Sequence, residues 1–301
     1  MFIHLALYFV LSASIWGQDG FPAVLPAYFE GSATHKTIIL SRKLDEISGL
    51  AITDDGRLFA HDDEQGAIYQ LDQKTGEIQK IFYLGKKKGK KEDFEGIAIV
   101  GEFFYLVSSE GTLFQFKEGD NKDHVDYRLI KTGLPADLDV EGLCYDPVSR
   151  SLLIACKDSP KKGIDQPRSI YSFLLEDMKL IEKPRFVLSP DELYHNYKES
   201  LSEKIGRFFL LIDALGVTPS AIERHPVTGS FFILSSRGPF LFELLPDGTV
   251  VSRIKLDATL HNQPEGLVFT PENSMIISDE AGEDRARLTI YHPDLNLFPE
   301  R

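Results

Sequence analysis

Sulfur is scarce in this chain of 301 residues, which has two cysteines and three methionines. Two cysteines make no disulfide framework, so the fold has to rest on packing. Cys144 and Cys156 lie in adjacent segments of one repeat, outside any CxxC or Cys/His ligand pattern. Oxidising surroundings would permit a bridge between them; buried free thiols acting as small hydrophobes are the other reading. Positive charge is also short, with 33 Lys and Arg against 46 Asp and Glu and a net charge of −13. Nucleic acid and anionic membrane surfaces both demand clustered cations, so neither is expected as the main partner. Cations and cationic partners remain open. HExxH, GxSxG, the P-loop and a GxGxxG between strand and helix are all absent, which removes motif support for zinc-protease, serine-hydrolase and nucleotide-binding chemistry.

Long hydrophobic runs are missing with one partial exception. Residues 2–15 are apolar apart from His4, Ser12 and Ser14, which matches the core of a signal peptide and falls short of the roughly 20 residues of a spanning helix. Residues 1–17 are therefore read as a signal peptide cleaved near Gly17, which directs the protein to a periplasm or the cell exterior. A retained N-terminal membrane anchor is the alternative, since no Lys or Arg precedes the run. Residues 18–35 are read as a linker and 36–298 as a single domain.

What is present is repetition. EDFEGIA (92–98) is the clearest of five copies, the others being EISGLA (46–51), DVEGLC (139–144), TPSAIE (218–223) and QPEGLV (263–268). Their small residues Gly49, Gly96, Gly142, Ala221 and Gly266 stand 47, 46, 79 and 45 residues apart. Three of these intervals are close to the roughly 40–45 residues of a four-stranded propeller blade. Between the openings, alternating apolar residues and turns such as Asp55-Gly56 and Asp247-Gly248 spell out strand meanders. The last copy has only three strands before the chain ends. A strand at Thr37 to Leu40 resembles the missing fourth and would close the ring, leaving no unpaired edge between first and last blades. The long interval carries Ser189-Pro190-Asp191-Glu192, a helix start with Ser at the N-cap and Pro at the first turn. A helical insertion near 190–206 is expected there. The predicted fold is an all-β, five-bladed β-propeller, with six blades as the alternative.

In an antiparallel meander the start of the first strand and the end of the second share one face. The five openings therefore place Ser48, Glu95, Glu141, Ser220 and Glu265 around the axis. The second-strand ends surround its mouth with Asp62, Asp63, Glu64, Glu110, Lys157, Asp158, Arg237, Asp279 and Glu280. Such converging carboxylates need raised pKa values, basic partners or a bound cation; Lys157 and Arg237 offset only part of the charge. The donors are almost all oxygen, which selects Ca2+ or Mg2+, and a flexible ring favours Ca2+. The alternative is that each Glu-Gly caps a strand and binds main-chain amides. His61 stands beside Asp62 and is a candidate general base, or a hydrogen-bonded residue. His225 is a turn residue on the opposite face, and His261 could reach the mouth.

The openings EISGLA, EDFEGIA, DVEGLCYDP, TPSAIERHPVTGSFFILSS and QPEGLVFTPENSMIISDE resemble the SdiA-regulated (YjiK/CarP-like) family of bacterial envelope propellers over roughly residues 36–293. The resemblance implies a calcium-linked propeller, distantly similar to phytase-like and lactonase-like propellers, with Glu95, Glu141 and Glu265 at the metal or active site and Ser48 and Ser220 filling the other places. The oxygen-rich face and the missing nucleophile motifs favour a monomeric module of the cell envelope that binds a small molecule or another envelope protein. The alternative is a calcium-dependent hydrolase of phosphoesters, esters or lactones, for which His61, Asp63 and Glu141 are the catalytic candidates.

Overall fold

The computed structural model describes residues 23–86, 91–159, 166–189, 193 and 217–298. Five antiparallel sheets stand around a common axis. Strand β1 (Thr34–Ile39) precedes the first blade, which is formed by β2 (Ile47–Ile52), β3 (Leu58–Asp62), β4 (Ala67–Leu71) and β5 (Ile78–Leu84). The second blade is β6 (Phe94–Val100), β7 (Phe103–Ser108), β8 (Thr112–Lys117) and β10 (Tyr127–Lys131); the short β9 (His124–Val125) crosses back to pair with β5. The third is β11 (Val140–Asp146), β12 (Ser151–Cys156) and β13 (Arg168–Leu174), with its outer edge split into β14 (Lys179–Leu180) and β15 (Phe186–Leu188). The fourth is β16 (Pro219–Arg224), β17 (Phe231–Ser235), β18 (Phe240–Leu244) and β19 (Val250–Lys255). The fifth is β20 (Pro264–Phe269), β21 (Met275–Asp279) and β22 (Arg287–His292), completed by β1, which pairs with β22 from Thr34 against His292 to Ile39 against Arg287. The ring closes as expected, through a strand longer than the four residues read from the sequence. Among the described residues there is no sixth sheet.

The inner strands form a closed circuit, β2 against β6, β6 against β11, β11 against β16, β16 against β20 and β20 against β2. Each blade packs between two others, so β3, β12 and β21 are buried at every position while the outer β1 and β10 are largely exposed. The apolar core divides into five clusters, one for each contact between neighbouring blades. The cluster between the first two blades is dominated by Phe59, Phe82, Phe94, Phe104, Phe114 and Phe116. Cys144 belongs to the cluster facing the fourth blade and Cys156 to the one facing the second. The two free thiols thus lie on opposite faces of one sheet.

The glycine of three openings has a packing reason. A Cβ on Gly96 would lie 2.8 Å from the Leu143 amide nitrogen, one on Gly142 3.1 Å from that of Ile222, and one on Gly266 3.0 Å from that of Leu50. Glycine lets one inner strand press against the main chain of the next.

The stretch read as a linker behaves differently in its described part. Residues 25–28 make a 3-10 turn whose Leu25, Ala27 and Tyr28 are buried, with Val24, against the fourth and fifth blades. Val24 and Leu25 donate their amides to the Glu243 carboxylate, and the Tyr28 hydroxyl meets His225 Nε2 at 3.0 Å. Apolar side chains that complete an interface pack onto it, and this segment is part of the domain. The signal segment, 1–17, and all of the expected helix near 190–206 except Leu193 lie outside the described residues. Leu193 is buried in the cluster between the third and fourth blades.

Candidate functional site, an acidic ring at one end of the axis

All five inner strands carry a register shift at their first turn: between Ile47 and Leu50, Phe94 and Gly96, Val140 and Gly142, Pro219 and Ala221, and Pro264 and Gly266. In each case the extra position falls at the ring residue, Glu95, Glu141, Ser220 and Glu265 in four blades and Ser48-Gly49 in the first. A bulge leaves one residue outside the ladder and re-aims its side chain. The main chain is also stitched from blade to blade at this end, with the Phe94 amide donating to the Asp63 carbonyl at 2.8 Å and the Val140 amide to the Ser109 carbonyl at 2.9 Å.

The ring residues have different fates. Ser48 donates to the Glu95 carbonyl at 3.3 Å and Ser220 to the Pro264 carbonyl at 2.6 Å, so both hydroxyls clasp the next blade. Glu141 is buried and paired with the Lys157 ammonium, which also lies 4.0 Å from Asp139 Oδ2. Burial still pushes the Glu141 carboxyl up to about 7 against the pull of Lys157. Burial works against the charge of Lys157 as well, yet Glu141 and Asp139 raise its pKa on balance. Glu95 and Glu265 are partly accessible, and their carboxylates have no hydrogen-bond or ion-pair partner among the described residues. Burial, then Glu141, Asp93 and Glu265, drive the Glu95 carboxyl up to about 10. Burial and Glu141 lift Glu265 far above the usual carboxylate range. The three glutamates act on one another, so the ring brings them together.

At the mouth, burial and then Asp62 and Glu46 raise Asp63 to about 6, and its buried Oδ1 lacks a partner. Burial followed by Glu46 and Asp63 raises Glu280 to about 7, and Glu280 accepts from Gln263 Nε2 at 3.1 Å. Asp62, raised mainly by burial, accepts from the Gln65 amide at 2.8 Å. The remaining mouth candidates are less central. Glu64, Glu110 and Arg237 are exposed. Asp158 stands 3.9 Å from the Arg168 guanidinium. Asp279 is fully buried and bonded to His261 Nδ1 at 2.9 Å. Of the two basic partners read from the sequence, Lys157 alone enters the ring.

The histidines do not serve the mouth as read. His61 is fully buried, with Nδ1 donating to the Asp62 carbonyl at 3.2 Å and burial depressing its pKa to about 4. Its Nε2 lies against Gly49, where a Cβ would approach to 2.6 Å. A neutral imidazole sealed between blades cannot take a proton from a substrate water. His261 is likewise enclosed.

Glu46, Asp93 and Asp139 were missed as site residues, although each is among the charges that lift a ring or mouth carboxyl. Their signal was in the repeat itself. A polar residue, Glu46, Asp93, Asp139, Thr218 or Gln263, stands two positions before every ring residue. Together the two tiers make a site rich in hard oxygen donors with one ammonium inside it, suited to attract positive charge. Among the described residues, no three acidic, His or Cys side chains already converge as a group able to hold a metal.

No protein-family model and no curated protein matches the sequence. Solved structures do. The glutaminyl cyclase of Myxococcus xanthus matches with 14% identity over 86% of this chain and 95% of that one, at a TM-score of 0.54. A luciferin-regenerating enzyme matches with 6% identity, covering 86% and 95% of the two chains, at 0.52. A streptogramin B lyase matches with 12% identity, covering 87% and 98%, at 0.50. The chain is a β-propeller. At such identities the likeness extends to the fold and leaves the chemistry to the site.

Proposed function

We propose that the chain is an exported, calcium-binding β-propeller that serves the cell envelope as a monomeric ligand- or partner-binding module, in line with the resemblance of its repeat openings to the SdiA-regulated family. The observation that carries this reading is the pair Glu95 and Glu265, two carboxylates at the axis without an ion pair of their own among the described residues, whose pKa values are driven upward although the Lys157 ammonium acts on both. A charge held in that condition is relieved by a bound cation. The donor set fits Ca2+ by its oxygen chemistry. Glu95 and Glu265 would hold the ion, and Glu141 would join them when Lys157 releases it. Bound calcium would supply the neutralising charge that the ring lacks. Calorimetry of the purified protein with CaCl2 at pH 8, with MgCl2 as comparison, tests the reading. Heat of binding and a raised thermal midpoint that disappear in a Glu95→Gln, Glu265→Gln double variant are expected. Neither heat nor shift in the wild type overturns it.

One observation favours a second reading, a calcium-dependent hydrolase of the phytase-like or lactonase-like kind. Asp63 at about 6 and Glu280 at about 7 bring two mouth carboxyls near neutrality, where a general acid or base works best. Turnover of an ester, lactone or phosphomonoester panel that collapses in Asp63→Asn supports it, and a silent panel rejects it.

A further inference from the structure

The two mouth carboxyls near neutrality are held in unequal ways. Glu280 is clasped twice by Gln263: the glutamine side chain donates from Nε2 to Glu280 Oε2 at 3.1 Å, and the Glu280 amide donates to the Gln263 carbonyl at 3.0 Å. The glutamine is itself backed. Gly282 has φ +51°, and a Cβ there would lie 2.4 Å from Gln263 Oε1, so glycine is what lets the chain close over the amide. The same loop is tied down by the buried His261, whose Nδ1 meets Asp279 Oδ2 at 2.9 Å and whose Nε2 meets the Tyr291 hydroxyl at 2.6 Å. Its Pro264 carbonyl is taken by Ser220. Asp63 has no such clasp, and its buried Oδ1 is without a partner.

Glu280 also meets the first blade across the seam where the ring closes. Glu46, before β2, hydrogen-bonds to its carboxyl, and the charges of Glu46, of Asp63 after β3 and of Glu141 on β11 act on it. Two carboxyl groups share a hydrogen bond only while one of them keeps a proton. An oxygen that accepts an N–H bond is the poorer base, so the Gln263 amide on Oε2 leaves the proton to Oε1. The seam is fastened beside this pair by the Ala281 amide, which donates to the Asp45 carbonyl at 2.9 Å, and by Arg285 Nε, 3.5 Å from Asp45 Oδ1.

We propose that Gln263 is a positioning residue that fixes Glu280 as the proton donor of the mouth, with Glu46 sharing the proton and Asp63 left as the base. This rests on the hydrolase reading above and gives its two carboxyls separate roles. Asp63 would take a proton from the attacking water as the water oxygen bonds to the substrate. Glu280 would give its own to the leaving oxygen as the old bond breaks, so protons balance.

The test is a carboxyl-carbon NMR titration of the glutamates in the full chain, in chelator, for the wild type, Gln263→Leu and Glu46→Gln. Losing the Gln263 donor should raise the Glu280 midpoint by about one pH unit, and losing the Glu46 carboxyl should lower it by about as much, while the exposed Glu110 stays put in both. With an active substrate, the alkaline limb of kcat/KM should move up by the same amount in Gln263→Leu. A merely structural glutamine would lower the thermal midpoint of Gln263→Leu and leave the Glu280 titration at its wild-type position; that result overturns the inference alone. Should Gln263→Leu fail to fold, a Glu280 midpoint unmoved in Glu46→Gln overturns it, since no proton is then shared. A substrate panel silent in the wild type overturns the hydrolase reading, and Glu280 as proton donor with it.

Discussion

Glu243 is closed off from bulk water and Glu265 partly so, and the protein treats the two carboxylates in opposite ways. Glu243, in the fourth blade, is 1% exposed and accepts from the Val24 and Leu25 amides at 2.9 and 2.8 Å and from Ser230 Oγ at 2.9 Å. Among the described residues no ion pair includes it, and dipoles hold its charge. Glu265, at the axis, has no side-chain donor among the described residues, and Glu141, Lys157 and Glu280 act on it. A buried carboxylate surrounded by donors is a structural anchor, and one left without them is a place for something else to bind. The N-terminal turn is in effect the ligand of Glu243, supplied by the chain itself.

That contrast can be broken first at its structural end. Glu243→Leu should strip the 3-10 turn of its anchor and lower stability by about 3 kcal/mol, since hydrogen bonds to a charged group are the stronger kind and two buried amides lose their acceptor. Urea unfolding would measure it, and hydrogen exchange should show the Val24 and Leu25 amides released. The near-isosteric Glu265→Gln should cost nothing in the absence of cation. Equal losses in the two variants would show that the axial carboxylate is a structural anchor too.

Lys157→Gln comes next. It removes the ammonium from Glu141, and the expected loss is about 2 kcal/mol, below the full value for a buried pair because the Lys157 side chain is 40% exposed. Removing this competitor should also strengthen calcium binding, as read by calorimetry. Unchanged or weaker binding would assign Lys157 to the ligand side of the site.

The pH dependence is smaller and has a definite sign. Glu141 and Glu280 at about 7, and Glu95 at about 10, keep in the fold protons that the unfolded chain releases near pH 4 to 5. Their stabilising contribution is full below the unfolded value and is lost as pH rises through the folded values. The buried His61 and His225, both lowered to about 4 by burial, act the other way, and their contribution is lost as pH falls from about 6.5 toward 4. Cation-free protein should therefore be most stable near about pH 4.5 to 5 and weaken toward pH 8 and beyond. Calcium should flatten the alkaline limb. Thermal unfolding across pH 4.5 to 9, with CaCl2 and with chelator, would show a flat alkaline limb without calcium if the axial carboxyls do not interact. The smallest effect belongs to Arg237→Ala, an exposed rim change expected within about 0.5 kcal/mol and silent toward calcium.

Much of this molecule was legible in five short motifs. The intervals between EISGLA, EDFEGIA and their relatives gave the blades, and the three-stranded last copy gave the closure by β1. The glycines marked close approach of neighbouring inner strands, although nothing in one chain segment names Leu143 or Leu50 as what they approach. Other assignments could not be read, because a register position fixes height along the axis and leaves direction open. Ser48 and Ser220 stand level with the glutamates, yet their short side chains reach a neighbouring carbonyl first. Asp279 and Glu280 are adjacent on one strand end and face different surroundings, so one is clamped by His261 while the other joins Glu46 and Asp63. Lys157 and Arg237 close equivalent loops, and the ammonium of only one turns inward.

The sequence by itself determined the number of blades, the way the ring closes and the end of the axis where acid collects, since period, turn chemistry and charge are local properties that repeat with the chain. Tertiary structure alone decided which carboxylates are satisfied and which are not. Hydrogen-bond partners come from blades distant in sequence, and a donor that arrives within 3 Å of one oxygen, or fails to arrive, is a fact of packing.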